Sequence, residues 1–321
     1  MIVNQNSEFL FLFEAQMTNA NGDPDQENKP RMDYETSTAL VSDVRRKRDC
    51  RDILKQKGFA IFVDTLPEGR KIPMDKMFEY IIDKAFKDQD QMNALKKICN
   101  EVGRDWLLGD DSEKYSEVYK KNKKTESNVI NFNNWFLTEI IKKSLIDIRL
   151  FGSAMAVEGI SRTYTGKQYK LHYGLIGHYG TVNKYSAIKT GMTEEDLKVF
   201  RKALVQGMMN NQTNSKQGQT PLMYLELIYK PDFDGYVGDL RRFLKCIYNN
   251  EKPIRKLDDI KIDFISLTQA ISEMKKLGYL EKVIGWIHPF VFKNEVERSN
   301  IFFELPEYES IDLWKPIEVV G

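Results

Sequence analysis

Residues 19–51 read NANGDPDQENKPRMDYETSTALVSDVRRKRDCR, and the two halves of this stretch ask for different structures. The first half has no hydrophobic periodicity and carries three turn-forming pairs, Asn21-Gly22, Asp23-Pro24 and Lys29-Pro30, so it reads as a long loop. The second half reads as a helix, with Thr36 or Thr38 as N-cap and good helix formers from Ala39 onward. At about 100° per residue, Leu40, Val41 and Val44 share one face, and Lys47, Arg48 and Arg51 continue it. Cations on the continuation of an apolar stripe mark an end that leaves the core and meets an anion. The competing reading is a solvated face on which Asp43, Asp49 and Asp52 pair with those cations. The loop weighs for a binding edge, because long polar loops inside compact domains are uncommon and often functional.

Working outward, Glu8–Gln16 (EFLFLFEAQ) is almost continuously apolar, as expected of a strand buried on both faces. The basic helix should stop near Gly58, and Phe59–Asp64 reads as a second strand, closing a β-α-β unit. From Ile72 to Ser144 the pattern turns helical, around Met74–Phe86, Gln91–Val102 and Phe132–Lys143. The polar stretch 109–131, with lysines at 120, 121, 123 and 124, reads as a solvated loop. Ile146–Phe151 alternates as a strand, and the Gly- and Tyr-rich Val157–Leu171 reads as a protruding hairpin with Thr165-Gly166 near its tip. Tyr173–Tyr179 is a further strand. Thr193–Met209 is a helix with Thr193 as N-cap and an acidic first turn of Glu194, Glu195 and Asp196. Leu222–Tyr229, then Lys261–Leu267, Thr268–Leu277 and Lys282–Ile287, give strand followed by strand, helix, strand, and the tail from His288 is irregular. The class is therefore α+β. The predicted order is that of a ferredoxin-like, modified RNA-recognition-motif core with a helical insertion, a hairpin and a C-terminal extension.

A net charge of +1 over 321 residues confines any nucleic-acid surface to a local patch, and residues 41–57 supply one, with seven Lys/Arg against three Asp. The three cysteines, Cys50, Cys99 and Cys246, are scattered without CxxC spacing, as in a reducing compartment. With no apolar run of about 18 residues and no signal-peptide pattern, a cytoplasmic protein without a membrane partner is expected. Walker, GxGxxG, GxSxG and HExxH motifs are missing, and His172, His178 and His288 lack ligand spacing. Asp23, Asp25, Glu27 and Asp33 could hold Mg²⁺, but such residues also favour turns on their own account. No catalytic residue, metal or cofactor is expected.

NANGDPDQENKPRMDYET, LVSDVRRKRDCR, DIRLFGS, YGLIGHYG and SKQGQTP together resemble the backbone subunit of Cascade-type CRISPR effector complexes, in the subtype I-B and I-C branch of the RAMP superfamily. The resemblance runs from about Phe9 to Tyr229. It implies a non-enzymatic subunit that polymerises along a guide crRNA, head to tail with copies of itself, beside other effector-complex subunits. Target nucleic acid would pair with the guide. It also implies a palm formed by 1–71 and 146–321, a finger insertion over 72–145 and a thumb hairpin over about 157–171. Carried onto this sequence, the RNA-binding candidates are Asn21, Gly22 and Arg31 in the loop, and Lys47, Arg48 and Arg51 on the helix. Gly152 and Ser153 follow DIRLF, and Lys216 and Gln219 lie in the SKQGQ turn. Ser42, Arg45 and Lys167 complete the set. Arg46 stands where that family usually places an apolar residue, and the hairpin is short and lacks a T-G-P-V-Q-F run. A metal-dependent RNA endonuclease subunit of the type III branch, using Asp33 or its neighbours, and a generic single-stranded RNA-binding protein are the alternatives.

Overall fold

A computed structural model places Phe9, Leu10, Phe11, Leu12 and Phe13 at the centre of the molecule, all 3% exposed or less. It describes residues 1–33, 35, 38–59, 61, 146–152, 158–163, 166–190, 192–210, 213, 215–249, 251–291, 305 and 307–318, with 146–152, 158–163, 166–168 and 189–190 as backbone. The five residues lie in β1 (Ser7–Thr18), whose alternation sends side chains into two cores. Phe9, Phe11, Phe13 and Ala15 pack under the helices, whereas Leu10 and Leu12 pack on the opposite face. Burying each Phe or Leu contributes about 1.5–3 kcal/mol, which is why an unbroken apolar run is stable only in mid-sheet.

Four very short strands follow in the loop, β2 (Gly22–Asp23), β3 (Lys29–Pro30), β4 (Met32–Asp33) and β5 (Thr38–Ala39). They pair β2 with β3 and β4 with β5. Helix α1 (Asp43–Gln56) comes next, capped by Ser42. Thr38, expected as N-cap, is instead a strand residue paired with Asp33, so the helix begins four residues later than Ala39. Its stop agrees with expectation, since Gly58 has φ +86° just beyond the end. The strand expected over Phe59–Asp64 falls mostly on residues outside those described, and Phe59 and Ile61 are not in a strand. The three helices expected between 74 and 143 also lie outside the described residues.

The chain continues with β6 (Ile146–Gly152), β7 (Glu158–Thr163) and β8 (Gly166–Val182), then α2 (Lys184–Thr190) and α3 (Glu194–Asn210). β9 (Gln219–Tyr229), β10 (Lys245–Tyr248), β11 (Ile260–Asp263), α4 (Ile265–Lys276), β12 (Leu280–Ile287) and β13 (Tyr308–Ser310) complete the described elements. The main sheet runs β13-β12-β9-β1-β8-β6, with β7 also on β8. It is mixed, because β12 and β13 are parallel and the other pairs antiparallel. β8 is one continuous strand. Its residues 176–182 pair with β6, its residues 166–171 pair with β7, and β1 lies along 171–182 on its other edge.

Cys50, Ile53 and Leu54 of α1 and Phe200, Leu204 and Met208 of α3 cover one face of the sheet. The helices approach closely at Gly207, where an added Cβ would lie 2.5 Å from the Asp49 carbonyl oxygen. Thr193 starts α3 as expected: its N–H and hydroxyl donate to Asp196 Oδ2 at 2.9 and 2.7 Å, and Asp196 N–H donates back to Thr193 Oγ1 at 3.2 Å. Leu267 and Ile271 of α4 cover the other face with Val283 of β12. The expected strand-helix-strand over 261–287 needs correction. β11 pairs with β10 in a separate two-stranded sheet, and Ile265–Leu267 belong to the helix. No helix among the described residues is long and apolar enough to cross a membrane.

Candidate nucleic-acid interface

The long loop is closed at its base by Asn21. Its backbone carbonyl accepts from Arg31 N–H at 2.9 Å. Its side-chain Oδ1 accepts from the Ser42 N–H at 3.3 Å and hydroxyl at 3.0 Å. Ser42 Oγ in turn accepts from Arg45 N–H at 3.3 Å, so Ser42, the partner of Asn21 in closing the loop, also caps α1. Within the loop, Asn19 Nδ2 donates to the Asn28 carbonyl at 2.7 Å and Arg31 pairs with Asp23 at 3.4 Å. A Cβ at Gly22 would overlap the Asn28 side chain, which would have to move aside.

The Ser215–Gly218 turn packs against this loop. Thr18 Oγ1 and Asn19 N–H both donate to the Ser215 carbonyl, at 2.8 and 2.9 Å. Lys216 Nζ donates to the carbonyls of Asn19 at 2.8 Å and Ala20 at 3.2 Å. Burial, with the Arg45 and Arg46 charges nearby, pushes the Lys216 ammonium down to about 8. Gly218, at φ +91°, fits against the Gln16 carbonyl, where any Cβ would collide. Loop, helix start and turn thus bring Asn21, Gly22, Arg31, Ser42, Arg45, Lys216 and Gln219 into one region.

Arg46 ties that region to the core. It is 1% exposed, its Nη2 donates to Gln219 Oε1 at 3.0 Å, and it pairs with Asp49 at 2.7 Å. Its guanidinium carbon sits 5.0 Å from the Phe13 ring centroid, and Phe13 stacks on His178 at 5.3 Å. Burial, reinforced by Arg46 and Arg241, holds His178 well below the usual histidine range, so it is a neutral core ring. Sequence reasoning placed Arg46 only as a departure from an apolar position. The signal was the spacing 46, 50, 53, 54, the stripe that is in fact buried on α1.

The expected helix face needs a matching correction. Val44 and Leu40 are exposed, at 62% and 38%, while Arg51 is buried at 8% and does not meet solvent. Lys47 pairs with Asp43 at 3.0 Å and Arg48 with Asp52 at 2.7 Å, and Arg45 pairs with Asp49, so the competing i,i+4 ion pairs are present. Arg48 and Arg31 nonetheless keep about two-fifths of their side chains exposed, at 42% and 40%. Gly152 closes β6 opposite Ile176, Lys167 pairs with Arg162 in the hairpin ladder, and Ser153 lies outside the described residues. Tyr169 of the hairpin is 7% exposed; its hydroxyl donates to Glu27 Oε2 at 3.0 Å and Lys29 sits 5.3 Å from its ring.

Three of the four loop acids hold partners. Asp23 meets Arg31 and caps Asp25 N–H, Asp33 accepts from Glu35 N–H, and Glu27 holds Tyr169. A concave space of about 890 Å³ lies elsewhere, between Thr193–Lys198 and Ile311–Leu313, and Arg201 at its wall is bound to Glu226.

Residues 5–164 and 159–265 match the family model for CRISPR-associated protein Cas7. A Haloferax volcanii protein described as CRISPR-associated protein Cas7 is 24% identical over 285 residues, covering 84% of this chain and 83% of that protein. A chain from a solved structure titled CRISPR RNA-guided surveillance complex, pre-nicking, overlays with a TM-score of 0.46 at 9% identity, covering 96% of this chain and 97% of the other. Another, from a CRISPR RNA-guided surveillance complex, gives 0.39 at 12% identity, with 96% of each chain covered. Neither overlay is close enough to bear on function.

Proposed function

The chain belongs to the family of CRISPR-associated protein Cas7, and from that premise we propose that it is a crRNA-binding backbone subunit of a type I CRISPR effector complex. The observation that carries this reading is the convergence of the Asn19–Ser42 loop, the start of α1 and the Ser215–Gly218 turn around Arg31, Arg45, Arg46, Lys216 and the partly exposed Arg48. A protein that holds any guide must grip phosphate and sugar, not base edges, and a local cationic edge beside a Gly-bearing loop does this. The near-neutral total charge suits many copies packed in a row. The subunit stacks head to tail with copies of itself and with other effector subunits in the cytoplasm, and target nucleic acid is read by pairing with the guide. It performs no catalysis; the roles of Asp23, Glu27 and Asp33 in local pairs favour this over the metal-dependent alternative.

Residues 1–71 and 146–321 form the palm, 72–145 the finger and 157–171 the thumb. The palm is read as ferredoxin-like. The sheet order β9-β1-β8-β6, with α1 and α3 on one face, supports a β-α-β-β-α-β plan in which the fourth strand lies beside the first.

The test is a salt titration. If Arg31 and Arg48 each meet a phosphate, replacing both with Ala flattens the slope of log K against log salt by about 1.4, at about 0.7 per phosphate on a single strand. Affinity should fall about equally for every RNA sequence. An unchanged slope in a folded variant moves the RNA groove elsewhere, and Mg²⁺-dependent scission of complementary RNA by the wild type overturns the binding-only reading.

A further inference from the structure

Among the described residues, four that are not glycine have a positive φ: Met17, Glu27, Asn28 and Glu307. Three of them belong to the end of β1 and the loop that follows. Asn tolerates this conformation, but an unbranched thioether side chain gains nothing from it. Met17 sits at φ +48° with 53% of its surface exposed, the only large apolar side chain of β1 that is not buried. Such backbone strain, held beside a binding edge, points to a use for the side chain it presents.

The neighbours of Met17 impose the strain. Gln16 N–H donates to the Gly218 carbonyl at 2.7 Å, and Gln16 Nε2 donates to the Arg255 carbonyl at 2.9 Å. Thr18 Oγ1 and Asn19 N–H hold the Ser215 carbonyl. Regular pleating would continue the row Phe9, Phe11, Phe13, Ala15 through position 17, under the helices. The left-handed turn breaks that row and puts the side chain into solvent, two residues from the Asn19 carbonyl that Lys216 Nζ holds.

Resting on the RNA-binding reading above, we propose that Met17 is an apolar platform for a nucleobase of the bound strand, just before the Thr18 and Asn19 contacts that seat the Ser215–Gly218 turn. The occupant is a base face: flat, weakly hydrated and present in every sequence, so a polarizable thioether can serve any guide without reading it. Cations alone hold a strand loosely along its backbone. A base seated on Met17 fixes where along the strand each protein copy stands.

The test uses the full chain and a single-stranded RNA, with and without one abasic nucleotide moved stepwise along it. Met17→Gly removes the side chain and relieves the backbone. The expected result is an unchanged or raised melting temperature, RNA affinity lowered about fivefold to thirtyfold, and an unchanged salt slope. One abasic position should weaken the wild type by a similar factor while leaving Met17→Gly unaffected, and Met17→Leu should bind as the wild type does. Equal binding by wild type and Met17→Gly overturns the platform while leaving the RNA-binding reading intact. A wild type that binds no RNA overturns that reading instead. If Met17→Gly lowers the melting temperature substantially, with abasic RNA weakening both proteins alike, Met17 is a structural residue and the proposal fails.

Discussion

Replacing Arg46 separates its part in the core from the charge it carries. Arg46→Ala takes a donor from Gln219 Oε1, leaves Asp49 leaning on Arg45, and opens a void under Phe13. A buried acceptor left without its donor costs about 1–3 kcal/mol, and breaking a buried ion pair from one side costs about 3–5 kcal/mol in all. These effects overlap, so the expected loss is about 3–5 kcal/mol and not their sum. Arg46→Met fills the volume with an apolar chain and should cost about half as much. Arg46→Lys should fare no better than Met, because one ammonium cannot reproduce a planar fork that faces Asp49 and Gln219 while lying on a ring. Urea unfolding of the four proteins, fitted with a common m-value, gives the ordering wild type, then Met and Lys, then Ala. An Ala variant within about 1 kcal/mol of wild type would refute this account of the guanidinium as part of the core.

Gly207→Ala drives a methyl into the Asp49 carbonyl where α3 crosses α1, so chemical denaturation should show a loss of about 1–3 kcal/mol; a neutral result would mean the two helices separate freely. Burial pushes Glu226 upward, but Arg201, Ser7 and Tyr224 outweigh it and hold its carboxyl below the ordinary value of 4.5. A depressed carboxylate stabilises the fold fully above that value and loses the contribution as pH falls through the depressed one. Thermal melts from pH 6 down to 3 should therefore decline less steeply for Glu226→Gln than for wild type, from a lower starting stability. Parallel profiles would exclude Glu226 as a source of acid sensitivity.

Strong local signals in the sequence located the central elements. β1 announced itself by an apolar run, the hairpin by Thr165-Gly166, and α3 by Thr193 with its acidic turn, and each stands where those residues put it. The loop followed by a basic helix was legible, but the geometry that joins them was not. Thr38 has the chemistry of a cap and spends it in a strand, because its pairing with Asp33 depends on where the loop folds back. Arg46 has the chemistry of a surface residue and lies inside, because its partners Gln219 and Phe13 come from strands 173 positions later and 33 positions earlier. The separate β10–β11 sheet was missed for a simpler reason: four residues, KCIY, carry too little periodicity to be seen.

β8 runs from the middle of the sheet to the hairpin turn without a loop or break, and this makes the hairpin a lever instead of a flap. Residues 166–170 extend past the last pair that β1 makes, at Thr18 and Leu171. Beyond Tyr169, three residues at about 3.3 Å each reach about 10 Å. A rotation of about 20° at Tyr169, no more than the twist between neighbouring strands, would swing the end by about 3 Å. The bearing at its foot is Tyr169, gripped by Glu27 and Lys29 from the loop. Substitutions at that foot will therefore be felt at full amplitude at the far end of the hairpin, and those at the far end scarcely at all in the sheet.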